Sequence, residues 1–265
     1  MAKDIIIALV TVASVGLIAG ILLAIVSHLF KVKEDERVSK IRECLPGVNC
    51  GACGYTGCDD YAKAVSDGNA EPNLCIPGAE STANELSKIL GVEIKKVNKM
   101  TAFVHCHGNC DATDTKARYS GIKTCKAAVM IYGGPNSCTY GCIGYGDCAE
   151  VCPSGLICIK DGIAHIDAGA CLGCGLCAKA CPKHLITLVP KTSATVVMCS
   201  SKDKGADARK LCKNACIGCK KCEKNCEAGA ITVTNNLARI DREKCTNCGK
   251  CAELCPTSCI REFIL

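Results

Sequence analysis

Tryptophan is absent from the sequence, and three phenylalanines and six tyrosines are its only aromatic rings. Nine rings are too few to fill the core of a 265-residue chain, so something other than aromatic packing must hold the folded part together. The same shortage removes the stacking platform that single-stranded nucleic acid needs. The chain also lacks a G-x-G-x-x-G loop, a P-loop and any His or Ser arrangement suited to catalysis, which leaves no candidate catalytic residue. Acidic and basic residues are missing entirely from Ile5 to Phe30, 26 positions in all. That run exceeds the ~20 residues a helix needs to cross a bilayer.

The uncharged run reads as a transmembrane span. A cleaved signal peptide fits poorly: Met1-Ala2-Lys3-Asp4 is a weak basic leader, the apolar stretch is too long, and no A-x-A site precedes Lys31. Lys31, Lys33, Arg37, Lys40 and Arg42 follow the span, against Lys3 and the terminal amine before it. The positive-inside rule then leaves the bulk of the chain in the cytoplasm, anchored by a single pass in the cytoplasmic (inner) membrane. Ala13, Gly16, Gly20 and Ala24 form a small-residue stripe with a GxxxG step, a surface another helix can approach closely.

What the chain has in excess is cysteine, 28 residues or roughly one in ten. In a reducing cytoplasm such thiols bind metal or do chemistry. The first group is Cys50-x2-Cys53-x4-Cys58 in LPGVNCGACGYTGC, followed by Cys75 in NLCIPG. Glycines at 51, 54 and 57 let the backbone wrap a compact object. These four thiolates suit a 4Fe–4S cluster, with zinc the rival for this stretch taken alone. Cys44 is not needed by the set.

Cys171-x2-Cys174-x2-Cys177-x3-Cys181-Pro182 is a complete ferredoxin run, and Cys245-x2-Cys248-x2-Cys251-x3-Cys255-Pro256 is the same run again. In such runs three thiolates hold one cube and the fourth reaches the neighbouring cube. A shift of 74 residues carries Cys138, Cys142, Cys148, Cys152, Cys171, Cys174, Cys177 and Cys181 onto Cys212, Cys216, Cys222, Cys226, Cys245, Cys248, Cys251 and Cys255. The module is duplicated. Each copy contains a short apolar stretch with a turn, Asp161-Gly162 or Asn235-Asn236, which predicts a β-hairpin.

The second copy has Cys216-x2-Cys219-x2-Cys222-x3-Cys226, whereas Tyr145 stands where the first copy should match Cys219. Cys138 is the nearest substitute. The crossed rule then groups Cys138, Cys142 and Cys148 with Cys181, and Cys171, Cys174 and Cys177 with Cys152. In the second copy it groups Cys216, Cys219 and Cys222 with Cys255, and Cys245, Cys248 and Cys251 with Cys226. Glu227 replaces the proline usual after Cys226.

These sets predict at least five 4Fe–4S clusters. A sixth is open to Cys106, Cys110 and Cys125 with Cys199 or Cys212, or with Cys138 if that residue is not used above. The stretches TAFVHC and TVVMC suggest that Cys106 and Cys199 each end a strand, and Cys158 and Cys259 read as buried thiols in apolar surroundings. His105 and His107 flank Cys106 and read as ordinary residues, though either has the chemistry to replace a thiolate. Five clusters at about −2 each take the formal charge from +6 to about −4, so the basic balance gives no support for a nucleic-acid partner. Locally the picture reverses. Lys202, Lys204, Arg209, Lys210, Lys213, Lys220, Lys221 and Lys224 face only Asp203, Asp207 and Glu223.

With these motifs in this order, the chain resembles the B subunits of the Rnf complex, the membrane-bound ion-translocating ferredoxin:NAD oxidoreductase. The resemblance spans the anchor, the LPGVNCGACGYTGC…NLCIPG domain, CTYGCIGYGDCAEVCP and both ferredoxin runs. It implies that reduced ferredoxin donates electrons, which pass along the clusters to other membrane and flavin-bearing subunits. A polyferredoxin subunit of a hydrogenase or of a complex that reduces a redox sensor is the alternative. Many members resemble a shorter form with one ferredoxin module; the two modules here are more like the long form of strict anaerobes. The expected class is α+β: a transmembrane anchor over 1–31, a linker and 4Fe–4S domain over 32–100, a first ferredoxin-like module over 101–190 and a second over 191–265.

Overall fold

A computed structural model describes residues 2–29, 35–93 and 98–262. Phe30, Lys31 and Lys33, part of the anchor reading, lie outside the described residues. The chain divides at Lys40/Ile41 into two compact units. The first holds α1 (Ala2–Leu29), whose segment Ile5–Val26 is the one helix among the described residues long and apolar enough to cross a membrane.

After α2 (Glu36–Glu43), the larger unit opens with α3 (Cys58–Ser66) and α4 (Ala79–Leu90). Tyr61 of α3 is buried, donating its hydroxyl hydrogen to the Glu71 carbonyl at 2.8 Å and accepting from the Leu74 N–H at 3.2 Å. One side chain thus pins the loop that delivers Cys75. Gly91 ends α4 in the left-handed conformation that a helix stop commonly takes.

The rest is a pair of similar modules. The first contains β1 (Met100–Val104), α5 (Cys125–Val129), α6 (Asp147–Glu150), β2 (Ile157–Lys160), β3 (Ile163–Ile166), α7 (Leu176–Ala180) and β4 (Ile186–Pro190). The second contains β5 (Thr195–Val197), α8 (Gly205–Leu211), α9 (Lys221–Lys224), β6 (Ile231–Thr234), β7 (Leu237–Ile240), α10 (Lys250–Glu253) and β8 (Ile260–Glu262). Each has two antiparallel two-stranded sheets: β2 with β3 and β1 with β4 in the first, β6 with β7 and β5 with β8 in the second.

The hairpins form where turn chemistry predicts them. Asp161 and Gly162 have φ of 51° and 78°, Asn235 and Asn236 have 49° and 62°, so both turns use the double left-handed geometry that matches strand twist. The cores follow the repeat as well. Ile157, Ile163, Ala164 and Ile186 are buried in one copy, and Ile231, Leu237, Ala238 and Ile260 occupy the shifted positions in the other. Val104 pairs with Ile186 and Val197 with Ile260, so β1 and β5 are equivalent strands although the chain before them differs.

Candidate metal centres

Cys50, Cys53, Cys58 and Cys75 line one cavity of about 320 Å³, counting its open mouth, with Pro46, Pro77 and Tyr61 as its walls. The Cys58 N–H donates to Asn49 Oδ1 at 2.8 Å, fixing the turn into α3. Burial pushes the Cys75 thiol up to about 11. Cys44 lies outside this lining; burial and Glu85 raise its thiol, and its carbonyl accepts from Thr82 Oγ1 at 3.1 Å. Lys179 Nζ of α7 donates to the Cys50 carbonyl at 3.3 Å, which seats this small domain against the first module.

In two of the crossed groups the structure brings the cysteines near one another. Burial pushes Cys177 up to about 11, and the neighbours that add to it are Cys171, Cys174 and Cys152. Cys251 is raised by burial, then by Cys245, Cys248 and Cys226. Backbone N–H groups point at these sulfurs: Leu156 at Cys152 over 3.4 Å, Ala230 at Cys226 over 3.3 Å, and both Ala102 and Gly173 at Cys171 over 3.4 Å. Such donors stabilise negative charge on a cluster's sulfurs. Glu227 is exposed and bound to Lys250 at 2.5 Å, so the missing proline leaves a surface ion pair in its place.

In the remaining set of the first module the structure places a different cysteine beside the other three. Cys142, Cys148 and Cys181 share a cavity of about 400 Å³ with Cys125, and Cys138 is not among its lining residues. Cys125 opens α5, and the Asp147 carboxylate of α6 accepts from its N–H at 2.6 Å and from the Lys126 N–H at 2.9 Å. One aspartate thereby ties α5 to the loop where the repeat lacks a thiol. The backbone N–H of Tyr145, the residue that displaced the expected cysteine, itself donates to the Cys125 sulfur and helps offset the upward push of burial. Nearness along the chain favoured Cys138; the structure instead places at that cavity a thiol seventeen residues before Cys142. Thr124 caps α5 by accepting from the Ala127 N–H at 3.2 Å, which fixes the turn that presents Cys125.

Asp147→Ala should loosen α5 by about 2 kcal/mol, because two charge-assisted hydrogen bonds vanish together. Faster loss of one cluster under mild chelation, with the others retained, is the expected reading; unchanged loss kinetics would remove Asp147 from this role.

In the second module Cys216, Cys219, Cys222 and Cys255 line a cavity of about 330 Å³. Buried Cys259 adds a fifth sulfur there, 3.7 Å from Cys255. Hydrogen bonding with Cys259 holds Cys255 down at about 4 and Cys216 at about 6. The position equivalent to Cys259 in the first copy is Leu185, equally buried.

Cys106, Cys138, Cys199 and Cys212 line a fourth cavity, of about 370 Å³. Cys110, offered by the sequence for a set with Cys106, is exposed and absent from that lining. Cys158 is exposed too, contrary to the expectation of a buried thiol, because strand alternation turns it away from the buried Ile157. His105 donates Nδ1–H to the Val197 carbonyl at 2.7 Å and accepts from Thr187 Oγ1 at 2.7 Å, so both ring nitrogens are committed to joining β1, β4 and β5.

Among the described residues no three Cys, His, Asp or Glu side chains close on one point as they do round a single metal ion. Zinc draws its thiolates to about 2.3 Å from one centre. Thiols of three of the predicted sets, and four more between the modules, instead line cavities of about 320 to 400 Å³, which leave room for a cube of iron and sulfide. The folded part is thus an iron–sulfur protein of the ferredoxin class, made for carrying electrons.

Family comparisons agree. Residues 45–77 match a model described as a putative Fe-S cluster, and residues 141–186 and 215–259 each match a 4Fe-4S dicluster domain. The chain is 43% identical over 246 residues to the B subunit of the Na(+)-translocating ferredoxin:NAD(+) oxidoreductase complex of Acetobacterium woodii, covering 92% of this chain and 74% of that one. It is 41% identical to the B subunit of the proton-translocating complex of Clostridium ljungdahlii (99% and 94% covered). To the B subunit of the ion-translocating oxidoreductase complex of Methanosarcina acetivorans it is 38% identical (98% and 99% covered). The chain belongs to this family of B subunits, the Rnf electron-transfer subunits.

Proposed function

We propose that the chain accepts electrons from reduced ferredoxin and passes them through 4Fe–4S clusters to other subunits of an ion-translocating complex, held to the membrane by α1 with its bulk in the cytoplasm. The five cluster sites are Cys50, Cys53, Cys58 and Cys75; Cys171, Cys174, Cys177 and Cys152; Cys125, Cys142, Cys148 and Cys181; Cys216, Cys219, Cys222 and Cys255; and Cys245, Cys248, Cys251 and Cys226. Each cluster, when bound, takes up and releases one electron. The protein's part is to hold them in succession, exclude water, and direct backbone N–H groups at their sulfurs.

One observation carries the donor's place. The eight cationic side chains from Lys202 to Lys224 are all exposed, and Lys220 and Lys221 line the cavity of the Cys216 set, whose Cys219 is itself exposed. Ferredoxins are acidic as a class, so this face draws such a donor to a cluster near the surface. Attraction of this kind raises the association rate more than the final affinity and fades as salt shortens the Debye length. Electron transfer from reduced ferredoxin to a chain carrying Lys220→Glu and Lys221→Glu should slow about tenfold at low salt, with iron content unchanged and a flatter salt dependence. Parental rates across a low-salt series would move the docking site elsewhere, most simply to the Cys50 domain.

A further inference from the structure

We propose that Cys259 serves the Cys216 set as a hydrogen-bond donor and not as a ligand, and that its thiol raises the reduction potential of the cluster held there. The proposal rests on the reading of Cys216, Cys219, Cys222 and Cys255 as a cluster site. It gives the fifth sulfur of that cavity a part that Leu185, its counterpart in the first module, has no proton to play.

The main chain puts the two residues in the same place. Cys259 stands 74 positions after Leu185, each is 2% exposed, and each lines the cavity of its own set. Ser258 and His184, just before them, have φ of 50° and 52°. Their N–H groups donate to the carbonyls of Cys255 at 3.2 Å and Cys181 at 3.0 Å. The Cys259 carbonyl then accepts from the Met198 N–H at 2.6 Å, as the Leu185 carbonyl does from the His105 N–H at 2.7 Å. Held on both sides in this way, the side chain at this position faces into the cavity.

Backbone donors do not distinguish the copies. N–H groups reach the Cys181 sulfur from Leu185 at 3.4 Å and the Cys255 sulfur from Thr257 and Ile260. The side chains do distinguish them. The Cys259 sulfur lies 3.7 Å from that of Cys255 and is also hydrogen-bonded to Cys216, so it stands beside two sulfurs of one set. Thr257 Oγ1 is 3.8 Å from the Cys255 sulfur, whereas Lys183 at the matching position turns its Nζ to the Gly141 carbonyl at 2.7 Å. Once Cys216 and Cys255 bind iron they have no proton to share, and Cys259, outside the set of four, is left as the donor. A hydrogen bond to a cluster's sulfur stabilises the reduced, more negative state and so raises the potential. Lys220 and Lys221 line the same cavity, so the effect falls on the cluster placed nearest the electron donor. That cluster gains one electron and the donor loses one; the proton stays on Cys259, and no bond is made or broken.

A redox titration followed by electron paramagnetic resonance on the full-length, anaerobically loaded chain tests the proposal. Cys259→Leu, which installs the residue of the first copy, and Cys259→Ala should keep parental iron and acid-labile sulfide. In both, the reduced-to-oxidised ratio of one second-module cluster at a fixed potential should fall about threefold, or about 30 mV for a one-electron couple. Cys259→Ser retains an O–H donor and should stay clearly closer to the parent than either. Leu185→Cys should shift one first-module cluster about threefold the other way. Parental potentials in Cys259→Leu and Cys259→Ala overturn the proposal, and so does a Cys259→Ser chain as low as Cys259→Ala, which would assign the shift to packing. Loss of about four irons and a single cluster signal from both variants would make Cys259 a ligand and overturn it too. If these variants shed every second-module cluster, Leu185→Cys decides, and an unchanged first-module potential overturns the proposal. Cys219→Ser should lose about four irons; parental iron there overturns the reading of the Cys216 set itself, whatever Cys259 does.

Discussion

Cys125→Ser is expected to bind about four iron atoms fewer than the parental chain and to lose the signal of one first-module cluster. Cys125 shares its cavity with Cys142, Cys148 and Cys181, and Asp147 holds the start of α5 against that loop. The second copy needs no such borrowing because Cys219 comes from within the run. Adding Tyr145→Cys to Cys125→Ser should therefore restore the cluster, since it rebuilds the regular spacing. Rescue would separate lost ligation from general damage to the fold. A Cys125→Ser chain with parental iron, or an unrescued double variant alongside a Cys138→Ser variant that loses the same first-module signal, would return Cys138 to the place the sequence suggested for it.

Gly144→Ala is expected to destabilise the loaded first module by about 3 kcal/mol or more. Gly144 has φ of +79°, and a Cβ there would run into the carbonyl oxygen of Gly162 in the hairpin turn. Neither backbone can yield without moving the loop that carries Cys142. Gly155→Ala supplies the control: φ is +62° but nothing lies within 4 Å, so only the conformational cost, about 1 kcal/mol, remains. Thermal cluster loss followed by absorbance should come at a clearly lower temperature for Gly144→Ala than for Gly155→Ala. Equal behaviour would mean that the hairpin and loop are not in firm contact.

The repeat made most of the architecture legible. Hairpins were readable because Asp-Gly and Asn-Asn between apolar runs demand left-handed turns, and the ferredoxin runs were readable because three thiolates at a spacing of three are a local geometry. The groupings that sequence could not reach are those that depend on contacts between distant segments. Cys125 is brought to Cys142 by a carboxylate twenty-two residues away, an attachment with no spacing rule. Cys106 and Cys199 meet because equivalent strands of two modules are joined through His105, which hydrogen-bonds Val197 across the boundary. Cys158 shows the complementary limit, since an apolar neighbourhood in sequence says nothing about which face of a two-stranded sheet a side chain takes.

The junction also has a symmetry consequence. Modules repeated along a chain usually stack head to tail, leaving an open end to which another copy can be added. Here the same positions of the two copies face one another, Cys106 with Cys138 from the first and Cys199 with Cys212 from the second. Each module contributes two of the four thiols that line the cavity between them. Self-complementary contacts of this kind close an assembly at two, as they do in twofold dimers of separate chains. A third module joined to this pair would find neither of those facing surfaces free and would need a different connection of its own.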